Sequence, residues 1–358
     1  MNGDKPEFKD ELSENTQIKL KYSDAEILGV FNHYSNVKIK EIVHKFCDIN
    51  FRKQMKEQGE LYINQLTQLD ASGRLIKELC GIDLLQDLTE LDISNNDIDN
   101  LHDLESLSHL QLLNIENNPV KKDEVDNLEN QLKIEIEKPL FVGDLEYEDT
   151  LFAAAMVPFW NQQVESITVL SLSNRGLTGV SELAHYSRLI TLNLGNNSLF
   201  EQDCLDFLYA LKSLTDLDLS YNKIDHESDA IANISSLTSL EDLNLNSNKI
   251  ADISFVTSLR NLTSLYLYDN SIADTAALSD SAKLQILWLN HNSISNINGL
   301  ANLKALTLLR LDYNQISDLS PLYSLSELKD LWLSGNTDLS FQDINLLQEA
   351  LPNCIIRF

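Results

Sequence analysis

A short phrase, LxxLxLxxN, returns roughly every 22 residues along most of this chain, and no other feature of the sequence restricts its fold so strongly. It reads LTELDISNNDI at 88–98, LTSLYLYDNSI at 262–272, LQILWLNHNSI at 284–294, LTLLRLDYNQI at 306–316 and LKDLWLSGNTD at 328–338. Alternating leucines make a short strand with its apolar side chains on one face. One such unit cannot bury its own leucines, so neighbouring units must stack and share a core. The closing asparagine falls at Asn96, Asn118, Asn197, Asn222, Asn248, Asn270, Asn292, Asn314 and Asn336. At the turn after each strand, its amide can satisfy backbone groups of adjacent coils. Arg74 and Arg175 stand where two of these asparagines belong, so a weaker ladder is expected there.

The second inward residue of each strand marks the rungs: Ala71, Ile93, Ile115, Ile136, Leu172, Leu194, Leu219, Leu245, Leu267, Leu289, Leu311, Leu333 and Ile356. The expected fold is α/β, a right-handed solenoid with one parallel concave sheet of about 13 short strands and short helical turns on the convex side. The step from Ile136 to Leu172 is the longest and leaves room for a helix around Tyr147–Trp160. This gives a helical cap over 1–60, a first tract over 61–137, an elongated repeat or connector over 138–160, and a second tract over 161–358. Ile134 and Ile136 keep the inward phase, which favours one continuous solenoid. The alternative is a split into two, because VDNLENQLKIEIE and INLLQEALPNCIIRF both place a helical stretch before a final strand.

The first 60 residues do not repeat. DAEILGVFNHYSNV and the spacing of Ile39, Ile42, Val43 and Phe46 predict helices that cover the first rung. Lys38, Lys40, Lys45, Arg52, Lys53 and Lys56 form either the solvated side of that cap or a partner-binding helix.

These repeats resemble the 22-residue class of leucine-rich repeats found in bacterial internalins and in the leucine-rich regulatory subunit of protein phosphatase 1. The phrase QISDLSPLYSLSELKDLWLSGN at 315–336 is internalin-like in its repeat and its outer-face proline. The resemblance implies a horseshoe that binds protein ligands through variable positions. LPNCIIRF, where the chain ends, does not match the LPxTG sorting motif of wall-anchored internalins.

The net charge is −28, and 44 of the 55 acidic residues fall after position 60 against 17 of the 27 basic ones. Such a body repels nucleic acid and anionic lipid, and suits a basic partner. MNGDKPEFKDEL has no apolar signal-peptide core, and the run from Leu151 to Trp160 is too short to span a bilayer. Cys47, Cys80, Cys204 and Cys354 lie far apart without a CxxC pair, which suits a reducing compartment, so a cytoplasmic protein is expected, with secretion lacking a readable signal as the alternative; a monomer is expected.

Residues between the inward leucines should line the concave face: Asp70, Asp92, Asn114, Glu135, Ser171, Asn193, Asp218, Asn244, Tyr266, Trp288, Arg310 and Trp332. The column changes from small or acidic to aromatic and basic. Beside it come Tyr268, Asn290 and Asp312, then Tyr221, Asp269, His291 and Tyr313. Tyr, Trp and Arg dominate interface energetics, so these positions are the expected protein-binding site, with Asp312 positioning Arg310. Packing of the rings on one another is the competing account. Asp92, Glu135, Asp216, Asp218 and Asp242 should meet a basic extension of the ligand. No phosphate-binding loop, HExxH or GxSxG occurs, and the histidines lack metal-ligand spacing. No cofactor, metal or catalytic residue is expected. The expected function is a non-catalytic interaction scaffold; the alternative is an exported bacterial effector or adhesin that binds a host protein. An enzyme would need a site outside the repeats.

Overall fold

A leucine between two outward residues is the smallest strand that can extend a stack. That unit recurs through the computed structural model, which describes residues 38–200, 205–225 and 233–358. The strands among the described residues are β1 (Gln68–Asp70), β2 (Glu90–Asp92), β3 (Leu112–Asn114), β4 (Ile136–Glu137), β5 (Val169–Ser171), β6 (Thr191–Asn193), β7 (Asp216–Asp218), β8 (Asp242–Asn244), β9 (Ser264–Tyr266), β10 (Ile286–Trp288), β11 (Leu308–Arg310), β12 (Asp330–Trp332) and β13 (Ile355–Arg357). All pair in parallel, and the middle residue is buried in every three-residue strand but β13. Short 3-10 turns such as His102–Ser106 and Ser254–Ser258 return the chain between strands.

The strands form two sheets, β1–β4 and β5–β13, and not the single sheet expected from the repeat phase. The chain divides into two compact units, Met1–Lys138 and Pro139–Phe358. The register explains the break. Leu113 pairs with Ile136 and Asn114 with Glu137, so Ile136 takes the middle place of its strand, and Glu137, not Glu135, continues the outward column of Asp92 and Asn114. The next inward place falls to Lys138, whose ammonium pairs with Glu129 at 2.8 Å. A core cannot continue through a charged side chain. The closing strand β13 carries the same shift: Ile356 pairs with Leu331, and Phe358 beyond it is 57% exposed.

Helices frame both units: α1 (Ile39–Ile42), α2 (Ile49–Glu57) and α3 (Lys122–Leu132) in the first, α4 (Thr150–Met156) and α5 (Phe341–Ala350) in the second. Helices α2 and α4 are matching caps. Asp48 accepts hydrogen bonds from the Asn50 and Phe51 N–H groups, and its other oxygen accepts from Lys77, 29 residues ahead. Asp149 accepts from Leu151 and Phe152, and its other oxygen from Thr178, also 29 ahead. Burial pushes the Asp149 carboxyl up, but these bonds outweigh it and hold the group down at about 2. Phe51 and Met55 under α2 match Phe152 and Met156 under α4, all 0% exposed. The helix expected around Tyr147–Trp160 is therefore the cap of a second unit. The DAEILGVFNHYSNV stretch lies outside the described residues.

The asparagine ladder has a direction. Asn96 accepts from the Arg74 and Ile76 N–H groups at 2.9 and 3.0 Å, and donates to the Ala71 and Ile93 carbonyls at 2.9 and 2.8 Å. Asn197 does the same for Arg175, Leu177, Leu172 and Leu194. Each asparagine serves the coil before its own. Arg74 and Arg175 belong to the first coil of each unit, which has no earlier repeat to serve. Their turns are satisfied by the next coil and are not weak points.

Cys47 and Cys80 form a disulfide, with Cα atoms 5.7 Å apart and 33 residues between them in sequence. It ties the first cap to the first coil, a pairing that the wide sequence spacing of the cysteines did not suggest. The second unit has a hydrogen bond in the matching place, from the Glu148 N–H to the Glu182 carboxylate at 2.7 Å. Glu78 lies beside the two sulfurs, but three donors are fewer than the four a structural zinc takes. Alkylation followed by mass spectrometry should label Cys47 and Cys80 only after reduction, and reduction should cost the first unit about 2–4 kcal/mol. Equal labelling before reduction would refute the link.

Candidate protein-binding face

Strand pairing stacks Asn244, Tyr266, Trp288, Arg310, Trp332 and Arg357 in one column on the outward side of the second sheet. The rings and guanidinium groups touch in series. Tyr266 meets Trp288 edge-on at 5.2 Å and 84°. The Arg310 guanidinium lies 5.3 Å from the Trp288 ring centre and 4.7 Å from that of Trp332. Arg357 lies 4.6 Å from the Trp332 ring centre. Each cation also has a carboxylate: Arg310 donates twice to Asp312, at 3.3 and 3.2 Å, and Arg357 pairs with Asp330. Stacked and paired this way, the guanidinium groups are held in place before any ligand arrives.

Arg357 was missed from sequence because the closing strand was phased on Ile356 as a second inward residue. Ile286 and Leu308, half-buried at the first position of their strands, were missed as well. The outward residues before the central leucine form a second column that the leucine spacing does not single out.

The next column follows each strand at the turn. Tyr221, Asp269, His291 and Tyr313 all have left-handed backbones, with φ of 57°, 56°, 54° and 56°. Asn95, Asn117, Asn174 and Asn196 hold the equivalent places in earlier coils, with φ of 56°, 54°, 59° and 53°. Asparagine tolerates this region; tyrosine is strained there. His291 stacks on Tyr313 at 4.3 Å and 23°, and meets Tyr268 edge-on at 5.2 Å. Tyr313 lies over Gly335, where an added Cβ would come within 2.7 Å of the ring. Tyr221 and Tyr313 are each 54% exposed. Tyr221 stands apart, with Ser247 in the coil between it and Asp269, and lines a hollow with Asn174, Gly195 and Asn196. Replacing Tyr313 by Asn should raise stability by about 1 kcal/mol in urea denaturation while weakening partner binding. Lower stability would mean that ring stacking outweighs backbone strain.

Asn290 and Asp312, expected on the surface, are each 2% exposed and lie beneath it. Asp312 acts by holding Arg310. The Trp288 indole N–H and the Asn290 side-chain oxygen are buried without a partner among the described residues. Trp160 packs over Gly143 in the α4 cap, so it serves the fold and not this face.

The outward side of β6–β8 has another character. A cavity of about 310 Å³ is lined there by Asp216, Asp218, Asp242 and Asn244, with Tyr266 and Trp288 at its edge. Burial raises the Asp242 carboxyl above the usual range; the Ser264 hydroxyl opposes this, and the Asp216 and Asp218 charges add to it. In the first unit, a separate hollow of about 440 Å³ carries Asp70, Glu90, Asp92 and Glu137 around an exposed Leu112. Among the described residues, no helix is long and apolar enough to cross a membrane.

Residues 260–302, which carry Tyr266 and Trp288, match the family model for leucine-rich repeats in two copies. The chain is a leucine-rich-repeat protein. It is similar to internalin C2 of Listeria monocytogenes, with 30% identity over 61% of this chain and 96% of that one, and a TM-score of 0.55. Internalin InlF of the same organism shares 24% identity over 88% of this chain and 90% of that one, with a TM-score of 0.51. A leucine-rich-repeat protein of Leptospira interrogans shares 22% identity over 95% of this chain and all of that one, also with a TM-score of 0.51. The last two likenesses speak to the fold alone. No curated protein matches the sequence.

Proposed function

We propose that this leucine-rich-repeat protein is a non-catalytic scaffold that binds a protein or peptide on the outward face of β9–β13. The Trp288–Arg310–Trp332–Arg357 stack carries this reading. It places the side chains that most often dominate interfaces in one fixed row. The strained turns at Tyr221, His291 and Tyr313 support it, because unfavourable backbone geometry concentrates at functional positions. The acidic coils β6–β8 extend the face and suit a basic segment of the partner. The test is retention of a partner by the intact chain against the folded Trp288→Ala/Trp332→Ala variant, read by mass spectrometry. A partner held by the first and lost by the second supports the face; equal retention sinks it.

A second observation bears on where the protein works. The cytoplasmic expectation rested on scattered cysteines and on an N-terminus without an apolar signal-peptide core, whereas Cys47 and Cys80 are paired. Disulfides persist in oxidising compartments, so we favour export and a partner outside the producing cell. Recovery of the protein from culture medium without lysis tests this; retention in intact cells opposes it.

A further inference from the structure

The charges of the second sheet are not evenly compensated. Arg310 and Arg357 are paired with Asp312 and Asp330. Farther along the same face, Asp216, Asp218 and Asp242 have no Lys, Arg or His partner among the described residues. Their hydrogen bonds come from adjacent small groups: the Thr215 hydroxyl to Asp216 at 2.6 Å, and the Ser220 hydroxyl and N–H to Asp218 at 2.6 and 2.9 Å. Three carboxylates around one cavity repel one another until a cation enters.

The cavity wall identifies the kind of cation. Tyr266 and Trp288 line one side of the same space of about 310 Å³ as the three carboxylates. A bare metal ion would use the oxygens and leave the aromatic side without a role. A long side chain with an apolar stem and a charged head uses both.

We infer that the ligand inserts a lysine or arginine side chain into this cavity, its cation among Asp216, Asp218 and Asp242 and its stem along Tyr266 and Trp288; the inference rests on reading this face as the protein-binding surface. The site thus selects both the sign and the position of one ligand residue.

The probe is acetyl-hexalysine amide, titrated into the full chain near physiological salt and followed by tryptophan fluorescence. Saturable binding is expected. Asp216→Asn/Asp242→Asn should weaken it at least about tenfold. Glu327→Gln/Glu349→Gln removes the same charge from exposed positions of the same unit outside the cavity and should change it by less than about twofold. Circular dichroism checks that each variant is folded. Equal weakening by the two carboxylate pairs, or no saturable binding, would overturn the inference. The face itself fails separately, by unchanged partner affinity in Trp288→Ala/Trp332→Ala. The subsite fails if a partner lost by that variant is retained in full by Asp216→Asn/Asp242→Asn.

Discussion

Alanine at both 288 and 332 lowers partner affinity at least tenfold, about 1.4 kcal/mol, in a protein that still folds. The estimate is conservative. Truncating a buried interface tryptophan often costs about 2 kcal/mol or more, and two such changes need not add. Here the loss also reaches Arg310, which sits between the two rings and would keep only its bonds to Asp312. Both tryptophans are outward residues of three-residue strands whose buried leucines, Leu287 and Leu331, stay in place. Titration calorimetry with the captured partner and a thermal melt of each variant separate the outcomes. Lower affinity with a similar melt assigns the row to recognition. A melt lowered by several degrees with unchanged affinity assigns it to packing between neighbouring strands.

Asn314→Ala lowers the stability of the second unit by about 3 kcal/mol. Asn314 is 7% exposed. It donates to the Leu289 and Leu311 carbonyls at 2.9 and 3.0 Å, and accepts from the Ile294 N–H at 2.9 Å. Alanine leaves all three backbone groups buried without a partner, each at a cost of about 1–3 kcal/mol before relaxation. Arg175→Ala, in the first coil, should fall within about 0.5 kcal/mol of the parent, because its turn is held through backbone N–H groups by Asn197. Trp160, Trp288 and Trp332 all lie in Pro139–Phe358, so tryptophan fluorescence in a urea titration reads this unit directly. A cost below about 1 kcal/mol for Asn314→Ala would refute the ladder's energetic role.

The repeat, its strands and the aromatic column were legible because leucine spacing alone fixes which residues point outward. The division into two units was not, although its marks are present. Arg74 and Arg175 read as defects until the ladder is known to run backward; then each marks a beginning. Ile136 and Ile356 kept an apolar rhythm, but pairing shifts them to the middle of their strands, exposing Glu137 and Arg357 as outward residues. Asn290 and Asp312 follow the last inward leucine, where simple alternation predicts an outward side chain. The chain is already turning there, and both side chains are buried. The Cys47–Cys80 link depends on a cap folding back over the first coil, a contact that spacing does not encode.

The two units begin with the same cap and end with the same helix and shifted strand, yet hold sheets of four and nine strands. Length in such a module changes in whole steps. Each added coil extends the sheet by about 4.8 Å and leaves both ends as they were. The caps therefore act as fixed stops on an adjustable ruler, and this single chain carries the ruler at two settings. A lineage could fit the longer face to a larger ligand by copying coils from its middle, without redesigning either end.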